Sequence, residues 1–199
     1  MVRRTLLIAT RNAGKLRELA DLLAVTPFDL VSLVDVGIDD EVEETGETFE
    51  QNAALKAETY SRLSGLPTLA DDSGLEVDAL EGEPGVRSAR YAGPNASDDD
   101  RIAFLIRKLD NVPEDTWSAR FRCVVAVAWL DRPTELYPGA CEGMIVRQAR
   151  GDSGFGYDPV FYVPMLGKTM AELTSEEKNR ISHRSVAARK ASEALGDRS

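Results

Sequence analysis

The sequence predicts an α/β protein that folds as one domain, or as one body with two lobes. Its 199 residues are about 1.3 times a typical domain of roughly 150 residues, which favours a single folded body. Apolar residues make up 43% and charged residues 29% of the chain, as in ordinary globular proteins. Strand patterns and helical patterns alternate along the chain. We therefore expect both kinds of element around a sizeable hydrophobic core.

The charge balance argues against several classes of function. The chain has 24 Lys and Arg against 34 Asp and Glu, a net charge of -10, so we expect poor binding to long nucleic acids. No stretch approaches the roughly 20 apolar residues of a membrane span, and the N-terminus does not have the pattern of a signal peptide. The two cysteines show no metal-binding spacing. These features predict a cytoplasmic protein that contacts neither nucleic acid nor membrane.

The first strand leads into a turn that is suited to phosphate. Thr5–Thr10 is a short apolar run, Leu16–Leu23 has helical spacing, and Phe28–Leu33 reads as a second strand. Backbone N–H groups and the helix dipole at such a strand-to-helix turn can hold a phosphate, although the residues that a Walker A loop requires are absent. A plain turn is the alternative. The turn consists of Thr10, Arg11, Asn12, Ala13, Gly14 and Lys15.

A helix with two polar groups on one face follows an acidic loop. The loop contains Glu43 and Glu44, and the helical pattern runs over Thr48–Leu63. Asn52 and Lys56 lie one helical turn apart and are therefore neighbours on the helix surface. One face of this helix thus presents an amide and an ammonium together.

Two adjacent aspartates follow the next strand. The short strand Thr68–Ala70 runs into Asp71–Gly74, which we expect to be a loop. Carboxylates at a strand end suit Mg²⁺, a cation that prefers oxygen ligands, and Glu43 or Glu44 would supply the second carboxylate. The alternative is an Asx turn with solvated acids.

The second half of the chain contains further helical and strand patterns. Ser97 can cap a helix whose apolar face ends at Leu109. Trp117–Leu130 alternates as a long strand whose far half is buried on both sides, and Leu136–Ala149 reads as its antiparallel partner. The last predicted elements are a strand at Val160–Val163, a short helix after the capping box Thr174–Glu177, and a helix over His183–Leu195 capped by Ser182.

Two aromatic residues lie among glycines in Gly154–Pro159. The glycines allow close backbone approach, so a planar ring can pack against an exposed aromatic face, and an anchored hairpin-like loop is the alternative. His183 is the only histidine, which excludes catalytic schemes that need two. With Arg184 beside it at a helix start, it is a candidate donor to the edge of a ligand.

These motifs follow one another along essentially the whole chain. They are Ala9–Lys15 with Glu18, Glu43–Gly46 with Phe49, Asn52, Ala53 and Lys56, then Ala70–Leu75, Ser88–Tyr91, Gly154–Pro159, Lys178 and Ser182–Arg184. Together they resemble the inosine triphosphate pyrophosphatase family, also called Ham1-like, in its bacterial form. One departure is Arg11, where the family often has Gly or Ser; this bulky cation would either crowd the phosphate turn or add a phosphate contact.

The resemblance implies a fold and an assembly. The fold is α/β, with an elongated mixed β-sheet flanked by helices and two lobes around a central nucleotide-binding cleft. Residues 1–199 would form a single domain of this kind, and the assembly would be a homodimer.

The resemblance also implies a reaction. Family members hydrolyse ITP, dITP and XTP to the nucleoside monophosphate and pyrophosphate with magnesium, which removes deaminated purines from the nucleotide pool. Asp72 would be the general base and a Mg²⁺ ligand, Glu43 the other metal ligand and Lys56 a catalytic cation. The triphosphate would be held by Thr10, Arg11, Asn12, Ala13, Gly14, Lys15, Lys56 and Ser73. The purine base would be held by Phe155, Gly156, Tyr157, Asp158, Lys178, His183 and Arg184.

Discrimination between ITP and ATP must come from the six-position of the purine, where ITP carries an oxygen acceptor and ATP an amino donor. We hypothesise that donors from His183 and Arg184 address that oxygen, because a buried donor facing an amino group is left unpaired. GTP also carries a six-oxo group, so its exclusion must come from its 2-amino group. Two alternatives stay open. One is a Maf-like nucleotide pyrophosphatase of other specificity, and the other is a nucleotide-binding module without catalysis in which Asp72 is structural.

Overall fold

The computed structural model describes residues 4–196, which contain both strands and helices. The strands are β1 Arg4–Ile8, β2 Phe28–Ser32, β3 Thr68–Val77, β4 Ser118–Ala128, β5 Glu135–Ile145, β6 Phe161–Val163 and β7 Lys168–Thr169. The helices are α1 Ala13–Leu23, α2 Phe49–Ser64, α3 Asp98–Leu109, α4 Ser175–Ile181 and α5 His183–Gly196. Within residues 4–196, none of these helices combines the length and apolar character that a membrane crossing requires.

The strands of the described chain form one seven-stranded sheet with the order β2-β1-β3-β4-β5-β6-β7. β1 runs parallel to both β2 and β3, whereas β6 runs antiparallel to both β5 and β7. The sheet is therefore mixed, and the helices flank it, as the family resemblance implies.

The chain divides into two units that each have their own hydrophobic core. The first unit contains residues 4–72, 123–139 and 183–196, and the second contains residues 73–122 and 140–182. The boundaries fall inside β3, β4 and β5, and between α4 and α5.

In the first unit, α1 packs against α5. Leu19 and Leu23 on α1 belong to the same buried cluster as Ala187 and Ala191 on α5. At Gly139 in β5, an added Cβ would lie 2.2 Å from the carbonyl oxygen of His183, so only glycine permits this close approach. This contact fixes the start of α5 against the sheet.

In the second unit, α3 begins at the cap that the sequence predicts. The hydroxyl of Ser97 accepts a hydrogen bond from the Asp100 N–H at 3.1 Å, and the Asp100 carboxylate accepts one from the Ser97 N–H at 2.9 Å. This reciprocal capping box leaves Leu105 and Leu109 facing the core beside Trp117. The predicted caps at Thr174 and Ser182 are also followed by helices, α4 and α5.

The prediction of a loop at Asp71–Gly74 is wrong. β3 continues through this segment to Val77, and both aspartates are buried. A strand can carry charges through the interior only where those charges have partners, and the neighbouring cations and amide described below supply them. The local polar pattern did not reveal those distant partners.

Candidate active site

The turn that the sequence predicts as a phosphate site lies at the start of α1. The Asn12 side chain accepts a hydrogen bond from the Lys15 N–H at 3.0 Å, and the Thr10 hydroxyl accepts one from the Asn12 N–H at 3.3 Å. Ala13 and Gly14 form the first turn of the helix, and this turn contains no acidic residue. No acidic residue of the turn itself therefore competes with an anion for the positive end of the helix dipole.

Arg11 connects this turn to the acidic loop. Its Nη2 donates a hydrogen bond to the Asp40 carbonyl oxygen at 2.9 Å, and to the Ile38 carbonyl at 3.4 Å. Tyr60 on α2 donates to the same Asp40 oxygen at 2.9 Å. The unusual cation thus holds the backbone of the loop that leads to Glu44.

Asp71 lies in a buried cluster of cations. Its Oδ2 is 3.1 Å from Lys15 Nζ and 3.3 Å from Arg184 Nε, and its side chain has no exposed surface. Arg184 also pairs with Glu18, with 2.5 Å between Nη1 and Oε2. Burial raises the pKa of Asp71, but the charges of Lys15 and Arg184 outweigh it and hold this pKa well below its usual value of 3.8. Asp71 is therefore ionised at neutral pH.

Asp72 has a different set of partners, and two of them lie on α2. Its Oδ2 accepts a hydrogen bond from Asn52 Nδ2 at 3.1 Å, and its Oδ1 lies 3.5 Å from Lys56 Nζ. Because successive residues of a strand point to opposite faces, Asp71 meets α1 and α5 whereas Asp72 meets α2. The expectation that Asn52 and Lys56 share a helix face is confirmed by their common contact with Asp72.

The structure brings Glu44, not Glu43, to Lys56. Glu44 Oε1 lies 2.5 Å from Lys56 Nζ, whereas Glu43 is exposed. Burial raises the pKa of Asp72; Lys56 opposes this effect and Glu44 adds to it, so the pKa lies above 3.8. Burial alone lowers the pKa of Lys56, but Asp72, Asp71 and Glu44 together raise it, so this lysine stays a cation.

Oxygen donors for a divalent cation are present in the first unit. Asp72 and Glu44 both contact Lys56, and Asp71 Oδ1 is a buried acceptor without a hydrogen-bond partner among residues 4–196. No group of three or more His, Cys, Asp or Glu in the described ranges is placed as a preformed metal cage. Mg²⁺ commonly binds one or two carboxylates and completes its shell with water and substrate phosphates, so this sparse oxygen set fits it.

A second cluster, around Asp158, forms in the second unit. The Asp158 carboxylate accepts hydrogen bonds from Lys178 Nζ at 2.6 Å and from the Phe155 N–H at 3.0 Å. Lys178 Nζ lies 5.0 Å from the centre of the Phe155 ring. At Gly154, which has φ +82°, an added Cβ would lie 2.1 Å from Asp158 Oδ2, so glycine is required there. Tyr157 donates to the Ser88 carbonyl oxygen at 3.0 Å.

His183 and Arg184 begin α5 and are both buried in the first unit. The sequence hypothesis assigns their donors to the purine base. In the structure, the Arg184 guanidinium contacts Asp71 and Glu18. Ser73 follows Asp72 directly in β3 and is half-buried.

The first unit thus combines the strand-to-helix turn at the start of α1, buried carboxylates and two lysines. A Ham1 family model matches residues 6–194. The chain belongs to the Ham1 family.

Similar proteins of the Ham1 family extend along nearly the whole chain. A dITP/XTP pyrophosphatase of Geobacillus kaustophilus is 54% identical over 94% of this chain and 92% of that protein. The solved structure of a HAM1 protein from Coxiella burnetii superimposes with a TM-score of 0.90 at 41% identity, and covers 98% of this chain and 99% of that one. The Ham1 protein of Staphylococcus aureus gives a TM-score of 0.89 at 41% identity, with 98% and 100% covered.

Because the chain belongs to the Ham1 family, the alternative of a Maf-like nucleotide pyrophosphatase is excluded. Within the Ham1 fold, the predicted site residues separate by unit. The first unit holds Thr10, Arg11, Asn12, Ala13, Gly14, Lys15, Glu43, Lys56, Asp72, His183 and Arg184, and the second holds Ser73, Phe155, Gly156, Tyr157, Asp158 and Lys178.

The sequence analysis treats Asp71 only as one of two carboxylates that suit Mg²⁺, and it names Glu18 among the family motifs without a role. Asp71 binds Lys15 and Arg184, and Glu18 binds Arg184. The alternation of side chains along a strand would have separated Asp71 from Asp72, had the segment been assigned as a strand. Glu18 gave no local signal, because its partner lies far away in the sequence.

Proposed function

We propose that this chain hydrolyses ITP, dITP and XTP to the nucleoside monophosphate and pyrophosphate. One observation carries the proposal: a buried carboxylate, Asp72, contacts Lys56 and Asn52 in a chain whose relatives are dITP/XTP pyrophosphatases. The reaction would remove deaminated purines from the precursors of nucleic acids.

In the proposed reaction, water attacks the α-phosphorus. The oxygen of water forms the new P–O bond, the bond from the α-phosphorus to the bridging oxygen breaks, and pyrophosphate leaves with the bonding electron pair. Asp72 takes the proton of the attacking water. Burial raises the pKa of Asp72, which makes it a better base than an exposed aspartate.

Cations in the first unit would stabilise the charge on the phosphates. Lys15 lies in the first turn of α1, where backbone N–H groups and the helix dipole also favour an anion. Lys56 is held between Glu44 and Asp72, so its ammonium is fixed in position before substrate binds. Preorganised charges of this kind lower the barrier because they need little rearrangement in the transition state.

We propose Mg²⁺ as the cofactor, held by Asp72 and by Glu44 in place of the predicted Glu43. The contacts of Glu44 with Lys56, and the exposure of Glu43, support this choice. When bound, Mg²⁺ neutralises charge on the phosphate oxygens.

We propose that the cluster around Asp158 in the second unit contacts the purine. Phe155 offers a flat apolar ring, and Lys178 offers a donor that suits a six-oxo group. The additional assignment of His183 and Arg184 to this oxygen remains a prediction. It requires that His183→Ala lower the preference for ITP over ATP; an unchanged preference would remove His183 from the account.

We also propose a homodimer, on the family resemblance alone, and a cytoplasmic location, on the sequence pattern. Light scattering coupled to size-exclusion chromatography tests the assembly: a mass twice that of the 21.8 kDa chain supports it, and a single-chain mass contradicts it.

The function is tested by pyrophosphate release from ITP, dITP, XTP, ATP and GTP in the presence of Mg²⁺. We expect turnover of the first three and little of the last two. Asp72→Asn should strongly lower turnover, whereas Asp99→Asn, an exposed charge removal on α3, should not. Binding of ITP without turnover would favour the non-catalytic module, and equal turnover of all five would refute the assigned specificity.

A further inference from the structure

One carboxylate of α3 holds the backbone of the glycine-rich segment 154–157, which we call the aromatic loop. Asp98 Oδ2 accepts a hydrogen bond from the Gly156 N–H at 2.7 Å. Asp98 is the first residue of α3, and its side chain is 40% exposed. The rest of α3 uses Leu105 and Leu109 to pack against the core, so Asp98 connects a rigid element to a loop.

The other oxygen of Asp98 is itself held in place. Asp98 Oδ1 pairs with Arg101 Nη2 one turn along α3. Arg101 Nη1 donates to the Ala89 carbonyl oxygen at 2.9 Å and to the Ala96 carbonyl oxygen at 2.7 Å. The carboxylate is therefore fixed before it meets the loop.

The segment that contains Ala89 also binds the aromatic loop, at the C-terminal end of the loop. Tyr157 donates to the carbonyl oxygen of Ser88, the neighbour of Ala89. Hydrogen bonds thus connect Gly156 to Asp98, Asp98 to Arg101, Arg101 to Ala89, and Tyr157 to Ser88. The aromatic loop is closed against α3 and the 3-10 turn Gly85–Arg90.

The aromatic loop needs such restraints. Gly154 and Gly156 have positive φ values of +82° and +64°. Glycine has more backbone freedom than any other residue, so a loop with two of them loses much conformational entropy when it orders. Asp158 restrains the Phe155 N–H from one side, and Asp98 restrains the Gly156 N–H.

We propose that Asp98 is a positioning residue that sets the affinity of the site for the purine base. This inference rests on the proposed function, in which the aromatic loop contacts the base. The affinity for a ligand falls in proportion as fewer molecules have the loop in the competent arrangement. Loss of a hydrogen bond to a charged acceptor should lower this fraction by roughly tenfold or more.

Three variants separate this role from a general effect of charge. Asp98→Ala removes both contacts, and Asp98→Asn keeps one oxygen that can accept from the Gly156 N–H. Asp99→Ala is the matched control, because Asp99 lies in the same first turn, carries the same charge and is exposed. All three changes weaken the favourable helix-dipole interaction to a similar extent.

The kinetic test compares a ligand that has a base with one that lacks it. For Asp98→Ala we expect the KM for ITP to rise about tenfold or more, while kcat and the Ki of inorganic tripolyphosphate stay close to wild type. The KM of Asp98→Asn for ITP should lie between those of wild type and Asp98→Ala. The KM of Asp99→Ala should match that of wild type. An unchanged KM in Asp98→Ala, or a Ki for tripolyphosphate that rises in step with KM, would overturn the proposal.

Hydrogen exchange tests the same contact without turnover. In the ligand-free protein, the amide of Gly156 should exchange about tenfold or more faster in Asp98→Ala than in wild type or Asp99→Ala. Equal exchange in all three would overturn the proposal even if ITP is hydrolysed. Absence of ITP turnover by the wild type would refute the proposed function instead, and would leave the exchange result to decide whether Asp98 holds the loop.

Discussion

Replacing Asp71 with Asn tests the buried cluster that connects α1 and α5. Asp71 Oδ2 faces Lys15 at 3.1 Å and Arg184 at 3.3 Å, and its side chain has no exposed surface. Asn has nearly the same shape but no charge, so the variant leaves the cations with one neutral oxygen between them. We expect Asp71→Asn to fold but to be clearly less stable than wild type.

The size of the loss follows from the geometry. At 3.1 Å and an effective dielectric constant of about 20, one ion pair contributes about 5 kcal/mol before the cost of desolvation. Removing one partner of a buried pair costs about 3–5 kcal/mol in measured cases. For a chain of this size, each kcal/mol lowers the Tm by about 2–4 °C, so the expected decrease is about 6–20 °C.

The assay is thermal and urea unfolding of wild type, Asp71→Asn and Glu43→Gln, an exposed charge removal. The double variant that combines Asp71→Asn with Lys15→Met should lose less stability than the two single variants lose together. The reason is that Lys15→Met removes a cation that has already lost its partner. A decrease for Asp71→Asn no larger than that for Glu43→Gln, or strictly additive effects in the double variant, would refute the reasoning.

The difference in stability between wild type and Asp71→Asn should depend on pH in a direction that follows from the pKa of Asp71. Lys15 and Arg184 outweigh burial and lower the folded-state pKa of Asp71 below the 3.8 of the unfolded chain. The stability contributed by its charge is therefore fully present above pH 3.8 and is lost as the pH falls through the folded-state value. The difference between wild type and Asp71→Asn should be constant near neutral pH and should shrink below about pH 4. A difference that grew on acidification would contradict this assignment.

Asp72→Asn should lower kcat by about 10²- to 10⁴-fold with a smaller effect on the KM for ITP, because a general base acts in the transition state; an equal loss for an exposed charge removal would contradict that role. Glu44→Gln should raise the Mg²⁺ concentration needed for half-maximal activity, whereas Glu43→Gln should not; the reverse order would restore Glu43 as the ligand. Burial raises the pKa of Cys123 far above its usual value and that of Cys141 to about 11, so both thiols should react with a disulfide reagent only on unfolding, and fast labelling of the native protein would contradict their burial.

Local patterns were sufficient to predict much of the fold. The capping residues Ser97 and Thr174 marked the starts of α3 and α4, because a cap acts within a few residues of itself. Helical spacing likewise placed Asn52 and Lys56 on one face, and both contact Asp72.

Distant partners account for what the sequence could not predict. Asp71 and its neighbours look like a solvated turn until Lys15 and Arg184 are known to lie beside them. The contact of Glu44, rather than Glu43, with Lys56 depends on how the acidic loop approaches α2, which no local pattern encodes. Asp98 reads as an acid that favours a helix start, and its bond to Gly156 joins segments far apart in the chain.

The central claim is that water attacks the α-phosphorus of a deaminated purine nucleoside triphosphate. Hydrolysis of ITP in ¹⁸O-labelled water, followed by mass spectrometry of both products, tests it most directly. We expect one ¹⁸O atom in the inosine monophosphate and none in the pyrophosphate. Label in the pyrophosphate would mean attack at the β-phosphorus, and label in released inorganic phosphate would mean attack at the γ-phosphorus; either result would contradict the mechanism.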